Sequence, residues 1–261
     1  MPIDSSRSED ETMPQDSPET EHEQRPRLCA YLADTVAFDA ILAVQRRLIY
    51  ELEVTGDAGL ILCEHTGGVT VGRGGSLTHI RTVDENGELT DLAPRFVARG
   101  GGCWLHTPGQ LAGYLIGDLG RLAKSADDYL YRFESALIES LADFDVKAVR
   151  DERHSGLFAG GKRIAALGLA VTRNMVHYGF LLNVGPWLRQ FEVIAEPGAD
   201  HKPVRQTSME SVRGRPVEAS RLRSRLIERI REEFVLEAGP VVAEADWLTS
   251  YPEVFESYVC R

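Results

Sequence analysis

The chain has 261 residues, 43% of them hydrophobic, and a formal net charge of −11. The apolar content suffices for one large core or two small ones, and the acidic balance argues against a nucleic-acid partner. No apolar run approaches the roughly 18 residues of a membrane-spanning helix, so no membrane association is expected.

Residues 1–26 carry eight acidic and two basic side chains, four prolines and almost no large apolar group. That composition predicts a disordered acidic tail ahead of a domain over 27–261. The polar start lacks the basic and apolar regions of a secretion signal. The four cysteines, Cys29, Cys63, Cys103 and Cys260, are scattered without a CxxC pair. A reduced, cytoplasmic protein with no metal site is the expectation.

A strand is expected at 28–32. A helix follows over 36–52, where Phe38, Ile41, Leu42, Val44 and Leu48 recur at helical spacing. A short buried strand at 59–63 precedes a polar, turn-rich loop over 74–93. Strands at 95–99 and 111–117 then flank the most distinctive stretch, Arg99-Gly100-Gly101-Gly102-Cys103-Trp104-Leu105-His106-Thr107-Pro108-Gly109-Gln110. Consecutive glycines let a backbone approach a ligand closely, their N–H groups suit an anion or a polar carbonyl, and Arg99 adds a fixed cation with five donors. The residues alone leave two readings open: a backbone-lined cradle with Trp104 and His106 beside it, or a tight turn between strands with Trp104 in the core. A second helix is read over 127–144 and a strand over 146–150. A hairpin of 162–171 with 176–184 turns at Arg173-Asn174, and a third helix with a charged outer face spans 217–235. His201, Lys202, Arg205, Arg213 and Arg215 oppose Glu210 alone, either as a solvated loop or as a docking patch for an acidic partner. Helices alternating with antiparallel strands indicate an α+β domain.

The glycine stretch resembles the signature of the lipoate-protein ligase B family, the octanoyltransferases, in which Arg-Gly-Gly leads to His and then Pro-Gly-Gln. Three more elements resemble the family in the same order. They are Cys63-Glu64-His65 running to Gly72-Arg73, Gly161-Lys162-Arg163-Ile164-Ala165-Ala166-Leu167-Gly168, and Tyr178-Gly179-Phe180-Leu181-Leu182-Asn183-Val184. The resemblance implies the biotin/lipoate protein ligase fold, a mixed β-sheet flanked by helices. It also implies transfer of a medium-chain acyl group from acyl carrier protein to a lysine of lipoyl domains, those of 2-oxoacid dehydrogenases or the glycine cleavage H protein, with no cofactor. The substrate-binding residues it implies are Arg99, Gly100, Gly101, Gly102, Cys103, Trp104, Leu105 and His106, then Ala166, Leu167 and Gly168, then Gly179, Phe180 and Leu181.

At the reactive positions the chain departs from the pattern. The family carries a nucleophilic cysteine in a Pro-Cys-Gly element after the Asn-Val strand, activated by a lysine. Here that element reads Glu196-Pro197-Gly198, and no cysteine lies between Cys103 and Cys260. Arg163 stands where the family has lysine, and Lys162 sits one place earlier, on the other face of a strand. Tyr178 replaces a histidine, with His177 before it. Lys162 and Arg163 are therefore the catalytic candidates, and Cys103 is a displaced nucleophile or a small buried hydrophobe. Three functions follow: transfer by a modified mechanism, including direct attack of the acceptor lysine; ATP-dependent lipoate or octanoate ligation; or a non-catalytic acyl-binding protein.

Overall fold

The structure, a computed structural model, describes residues 25–81, 93–151, 154–195 and 204–243. Residues 1–24 of the expected tail, most of the 74–93 loop, Glu196-Pro197-Gly198, His201, Lys202 and Cys260 lie outside the described residues.

The chain opens with β1 (Arg27–Val36), α1 (Phe38–Thr55) and β2 (Ala58–His65). A second group follows: β3 (Gly68–Val71), β4 (Pro94–Phe96), β5 (Cys103–His106), β6 (Gln110–Asp118), the single turn α2 (Leu119–Leu122) and α3 (Ala126–Ala142). Then come β7 (Val149–Asp151), β8 (His154–Ala159), β9 (Lys162–Thr172) and β10 (Met175–Asn183). The described chain closes with α4 (Met209–Arg213), α5 (Ala219–Glu233) and β11 (Glu237–Ala243).

Eight strands form one mixed sheet in the order β11-β1-β2-β6-β10-β9-β8-β7, and β4-β3-β5 form a small second sheet. In the large sheet β1 runs parallel to both β11 and β2 and the remaining neighbours are antiparallel, while in the small sheet β3 is parallel to β4 and antiparallel to β5. The large sheet is covered on both faces, so its strands read as unbroken apolar runs rather than alternating ones. Leu60, Leu62, Leu115, Leu167 and Phe180 face Phe133 and Leu137 of α3 and Leu226 and Ile230 of α5. Ile61, Cys63, Tyr114, Ile116 and Leu181 face Ile41, Val44 and Leu48 of α1, and Trp104 of the small sheet. The expected α+β class, a mixed sheet flanked by helices, is the one observed.

Local chemistry explains most boundaries. Ser125 caps α3 by accepting from the Asp128 N–H at 3.1 Å, and Asp127 and Asp128 fill the first turn. Arg173 and Asn174 both take positive φ, 48° and 65°, the tight hairpin turn expected between β9 and β10.

Several expectations need correction. The strand expected at 95–99 is only Pro94–Phe96, because the chain then turns so that the Arg99 carbonyl accepts from Arg73 N–H at 3.0 Å. The strand expected at 146–150 begins at Val149, after Asp145 turns the chain with φ of 60°. The sequence reading places no strand at β3, β5, β8 or β11. β5 begins inside the glycine stretch and so reads as loop. β11 contains Gly239-Pro240, and it is tolerated as a strand because it lies at the sheet edge, where β1 shifts register between Leu28 and Ala30.

Candidate functional site

The site lies where the small sheet meets β9 and β10. A cavity of about 30 Å³ is lined by Cys103, Trp104 and Leu105 of β5, by Arg163 and Ala166 of β9, and by Leu181 and Asn183 of β10. Gln110, Phe191, Ile194, Val204 and Gln206 complete it. The last four residues also line an open groove of about 420 Å³ that adds Arg81, Lys162, Leu188, Glu192 and Arg205. Cavity and groove are therefore neighbours that share these four residues as a common wall.

Strand alternation decides which of the expected residues reach the cavity. Ala166 and Leu181 are cross-strand partners and give it an apolar wall. Leu167 and Phe180, also paired, point to the opposite face, where the Phe180 ring stacks edge-on with Phe133 at 5.4 Å. These two expected contacts are thus corrected to core residues. Gly179 is a close-approach residue: a Cβ there would lie 2.0 Å from the Gly113 carbonyl oxygen of the neighbouring strand.

The polar floor comes from the ends of two motifs. Gln110 and Asn183 pair across β6 and β10, and Gln110 Nε2 donates to Asn183 Oδ1 at 2.9 Å. Gln110 Oε1 accepts from Thr107 N–H at 2.8 Å, and Asn183 Nδ2 donates to the Thr207 carbonyl at 2.9 Å. Gly109 must be glycine: its φ is 87°, and a Cβ would meet Gly185 at 2.8 Å. Gln110 and Asn183 were absent from the expected site although both stand in motif segments. Phe191, Ile194, Val204 and Gln206 lie in segments whose sequence carries no periodic signal.

The glycine cradle is built differently from the expectation. Arg99 is 1% exposed. Its guanidinium donates to the carbonyls of Gly100, Gly102 and Thr70 and to Thr70 Oγ1, at 2.8–3.1 Å, and stacks over the Trp104 ring at 3.5 Å. It is a clamp on the loop, one layer behind the cavity. The loop itself packs on β9. Gly100 N–H donates to the Leu169 carbonyl at 2.9 Å, and a Cβ on Gly168 would lie 2.5 Å from the Gly100 carbonyl oxygen. Gly101 and Gly102 accept from the N–H groups of Gly74 and Gly72, both at 3.0 Å. Arg99, Gly100, Gly101, Gly102 and Gly168 thus support the cavity wall rather than line it, a correction to the single pocket expected from them.

His106 is likewise internal. Its Nε2 is 2.9 Å from Thr70 Oγ1, and its ring packs against those of Phe38 and His65. Burial, with His65 and Arg99 nearby, holds His106 well below the usual imidazole range. Burial also pushes His65 down to about 4, against the opposing hydrogen bond to the Val36 carbonyl at 2.8 Å. His65 Nδ1 therefore carries the proton, and Nε2 accepts from the Tyr114 hydroxyl at 2.6 Å. Both imidazoles are neutral packing groups at pH 7.

Arg163 and Cys103 are the candidates that line the cavity, and Lys162 lies at the groove. Arg163 is 9% exposed and anchored by main-chain bonds on both sides: its N–H donates to the Arg205 carbonyl at 2.8 Å, and its carbonyl accepts from Thr207 N–H at 2.9 Å. Lys162, the preceding residue, is exposed and faces the groove. Among the described cysteines only Cys103 lines the cavity, and its thiol donates to the Ser76 carbonyl at 3.4 Å. Arg163 is a fixed cation with no accessible neutral form. It can hold a carboxylate, or the oxygen of a thioester as negative charge develops on it, but it cannot shuttle a proton. Among the described residues no group of three or more His, Cys, Asp or Glu side chains is arranged to hold a metal ion, and no helix is long and apolar enough to cross a membrane.

Comparison with known proteins agrees with this architecture. The lipoyl protein ligase A/B catalytic domain family matches residues 39–231. An octanoyltransferase of Geobacter metallireducens is 36% identical over 186 residues, covering 69% of this chain and 81% of the relative. One from Caldicellulosiruptor bescii is 36% identical over 188 residues, covering 70% and 81%. Among solved structures, a lipoate-protein ligase A bound with ATP superimposes with a TM-score of 0.64 at 17% identity, covering 89% of this chain and 95% of that one. A bi-partite lipoate protein ligase from Thermoplasma acidophilum gives 0.64 at 17% identity, covering 89% and 92%. At those identities the likeness is one of fold.

Proposed function

The chain belongs to the lipoyl protein ligase A/B catalytic domain family, and from that premise we propose that it moves an octanoyl-class acyl group from a carrier-protein thioester to a lysine of a lipoyl domain, without an acyl-cysteine intermediate. The observation that carries this reading is the placement of Arg163 beside the apolar pair Ala166 and Leu181 on one lining, next to the larger groove. The pair suits the alkyl chain, and the guanidinium suits the thioester oxygen.

The chemistry then needs no protein nucleophile. The neutral amine of the acceptor lysine attacks the thioester carbonyl, forming the C–N bond and placing negative charge on the oxygen beside Arg163. Collapse of the tetrahedral species breaks the C–S bond. The carrier leaves as a thiolate and takes up the proton released by the nitrogen. Arg163 stays charged throughout, in keeping with its inability to act as acid or base. The sequence supports omission of the covalent step, since Glu196-Pro197-Gly198 contains no thiol.

The groove supports an anionic donor. In a chain of net charge −11, Arg81, Lys162 and Arg205 surround it with Glu192 as the opposing carboxylate. A phosphate-bearing arm or an acidic carrier surface suits that balance. Reversing Lys162 and Arg205 together to glutamate is expected to raise KM for the octanoyl-carrier roughly tenfold at low salt, with kcat little changed. The difference should shrink as salt is added. An unchanged KM counts against the groove as the donor's entry. The same cations also suit a nucleotide phosphate, which favours ATP-dependent ligation as a second reading. The deciding assay supplies a lipoyl domain with octanoyl-carrier protein, or with octanoate and ATP. Product only in the first supports transfer, product only in the second supports ligation, and none in either leaves an acyl-binding protein.

A further inference from the structure

We propose that Trp104 is the residue that sets the length of acyl chain this site accepts. The inference rests on the acyl-transfer reading and adds to it the wall that ends the slot. The indole lines the cavity and is 8% exposed. It is wedged between two fixed features. On one side the Arg99 guanidinium lies 3.5 Å from its ring centre. On the other, a Cβ built on Gly168 would stand 3.2 Å from its Cζ2, and one built on Gly101 would stand 3.6 Å from its Nε1.

The indole thus lies against both the glycine loop at Gly101 and β9 at Gly168. The apolar residues Ala166 and Leu181 line the same cavity as the indole and Arg163. The surrounding partners are unable to yield. Arg99 is held by three main-chain carbonyls, and Gly168 and Gly101 are backbone. In such a setting the side chain of residue 104 is the adjustable part of the wall. A closed apolar wall discriminates by single methylenes, because each excess carbon meets atoms that are packed and cannot rearrange. A smaller residue at 104 opens the layer between Gly101 and Gly168 and lengthens the slot.

The test is a chain-length series of carrier thioesters from butanoyl to dodecanoyl, read as transfer rate, with the matching free fatty acids titrated by calorimetry. Wild-type protein is compared with Trp104→Leu and Trp104→Ala, each first checked by thermal melting. The wild type is expected to show a sharp upper limit, with rate and affinity falling about tenfold or more once the chain exceeds it. Trp104→Leu is expected to move that limit up by at least two carbons. The alanine variant should move it further. A wild-type profile that is flat from octanoyl to dodecanoyl overturns the proposal whatever the variants do. Folded variants with an unchanged length profile, or with all lengths weakened equally, overturn it too. If no thioester is transferred by any of the proteins, the transfer reading fails by itself, and the fatty-acid titration still decides the role of Trp104.

Discussion

Replacing Arg99 by alanine is expected to destabilise the protein by about 3 kcal/mol or more, lowering Tm by roughly 6–12 °C for a chain of this size. The guanidinium makes four hydrogen bonds in a site 1% exposed and stacks on Trp104. Alanine leaves the Gly100, Gly102 and Thr70 carbonyls without these donors in a space that water does not reach freely. Each hydrogen bond to a charged group is worth about 1.5–3 kcal/mol in isolation, and the four do not add because they share one cation. Lysine should recover little of the loss, since an ammonium cannot reach divergent acceptors in the way a planar fork does. Thermal unfolding of both variants reads the effect. A loss below about 1 kcal/mol in Arg99→Ala would mean that Arg99 is not the clamp described above.

The second large effect concerns the reaction. Arg163→Ala is expected to lower the single-turnover transfer rate by about 10²–10³, the range seen when one donor to a developing oxyanion is removed. The protein should stay folded, because the bonds that fix this position, to the Arg205 carbonyl and from Thr207 N–H, are main-chain bonds that alanine keeps. Arg163→Lys is the informative companion. It keeps a charge and restores the residue type that the sequence pattern implies at this place, so it should retain a measurable part of the rate. Wild-type rates in Arg163→Ala would remove the guanidinium from the mechanism.

The sequence made the large elements legible because their signals are local. α1 and α3 announce themselves through helical spacing, and the β9–β10 hairpin through Arg173-Asn174, residues that tolerate the positive φ the turn needs. Six residues that the motifs single out, Cys103, Trp104, Leu105, Arg163, Ala166 and Leu181, line one cavity. What stayed hidden depends on packing between distant segments. Arg99 reads as a ligand-facing cation until Thr70, 29 residues away, is seen to accept from it. His106 reads as a site histidine until Phe38 and His65 close over it. Leu167 and Phe180 stand in motif segments beside true cavity residues, and only the pleat separates them. Leu105 and Val193 form a small apolar cluster with Val69, flanked by Phe191 and Ile194, that joins the second sheet to the cavity rim. No periodicity in the sequence marks that cluster.

The central claim is acyl transfer through a cavity that holds a fixed arginine and engages no cysteine nucleophile. Intact-mass measurement of the full chain after incubation with octanoyl-carrier protein tests it most directly, alongside appearance of octanoylated lipoyl domain in the same mixture. The account predicts modified lipoyl domain while the enzyme's own mass stays unchanged, with and without the acceptor present. A hydroxylamine-sensitive octanoyl adduct on the enzyme, mapped to Cys103, would contradict it and make that thiol the nucleophile.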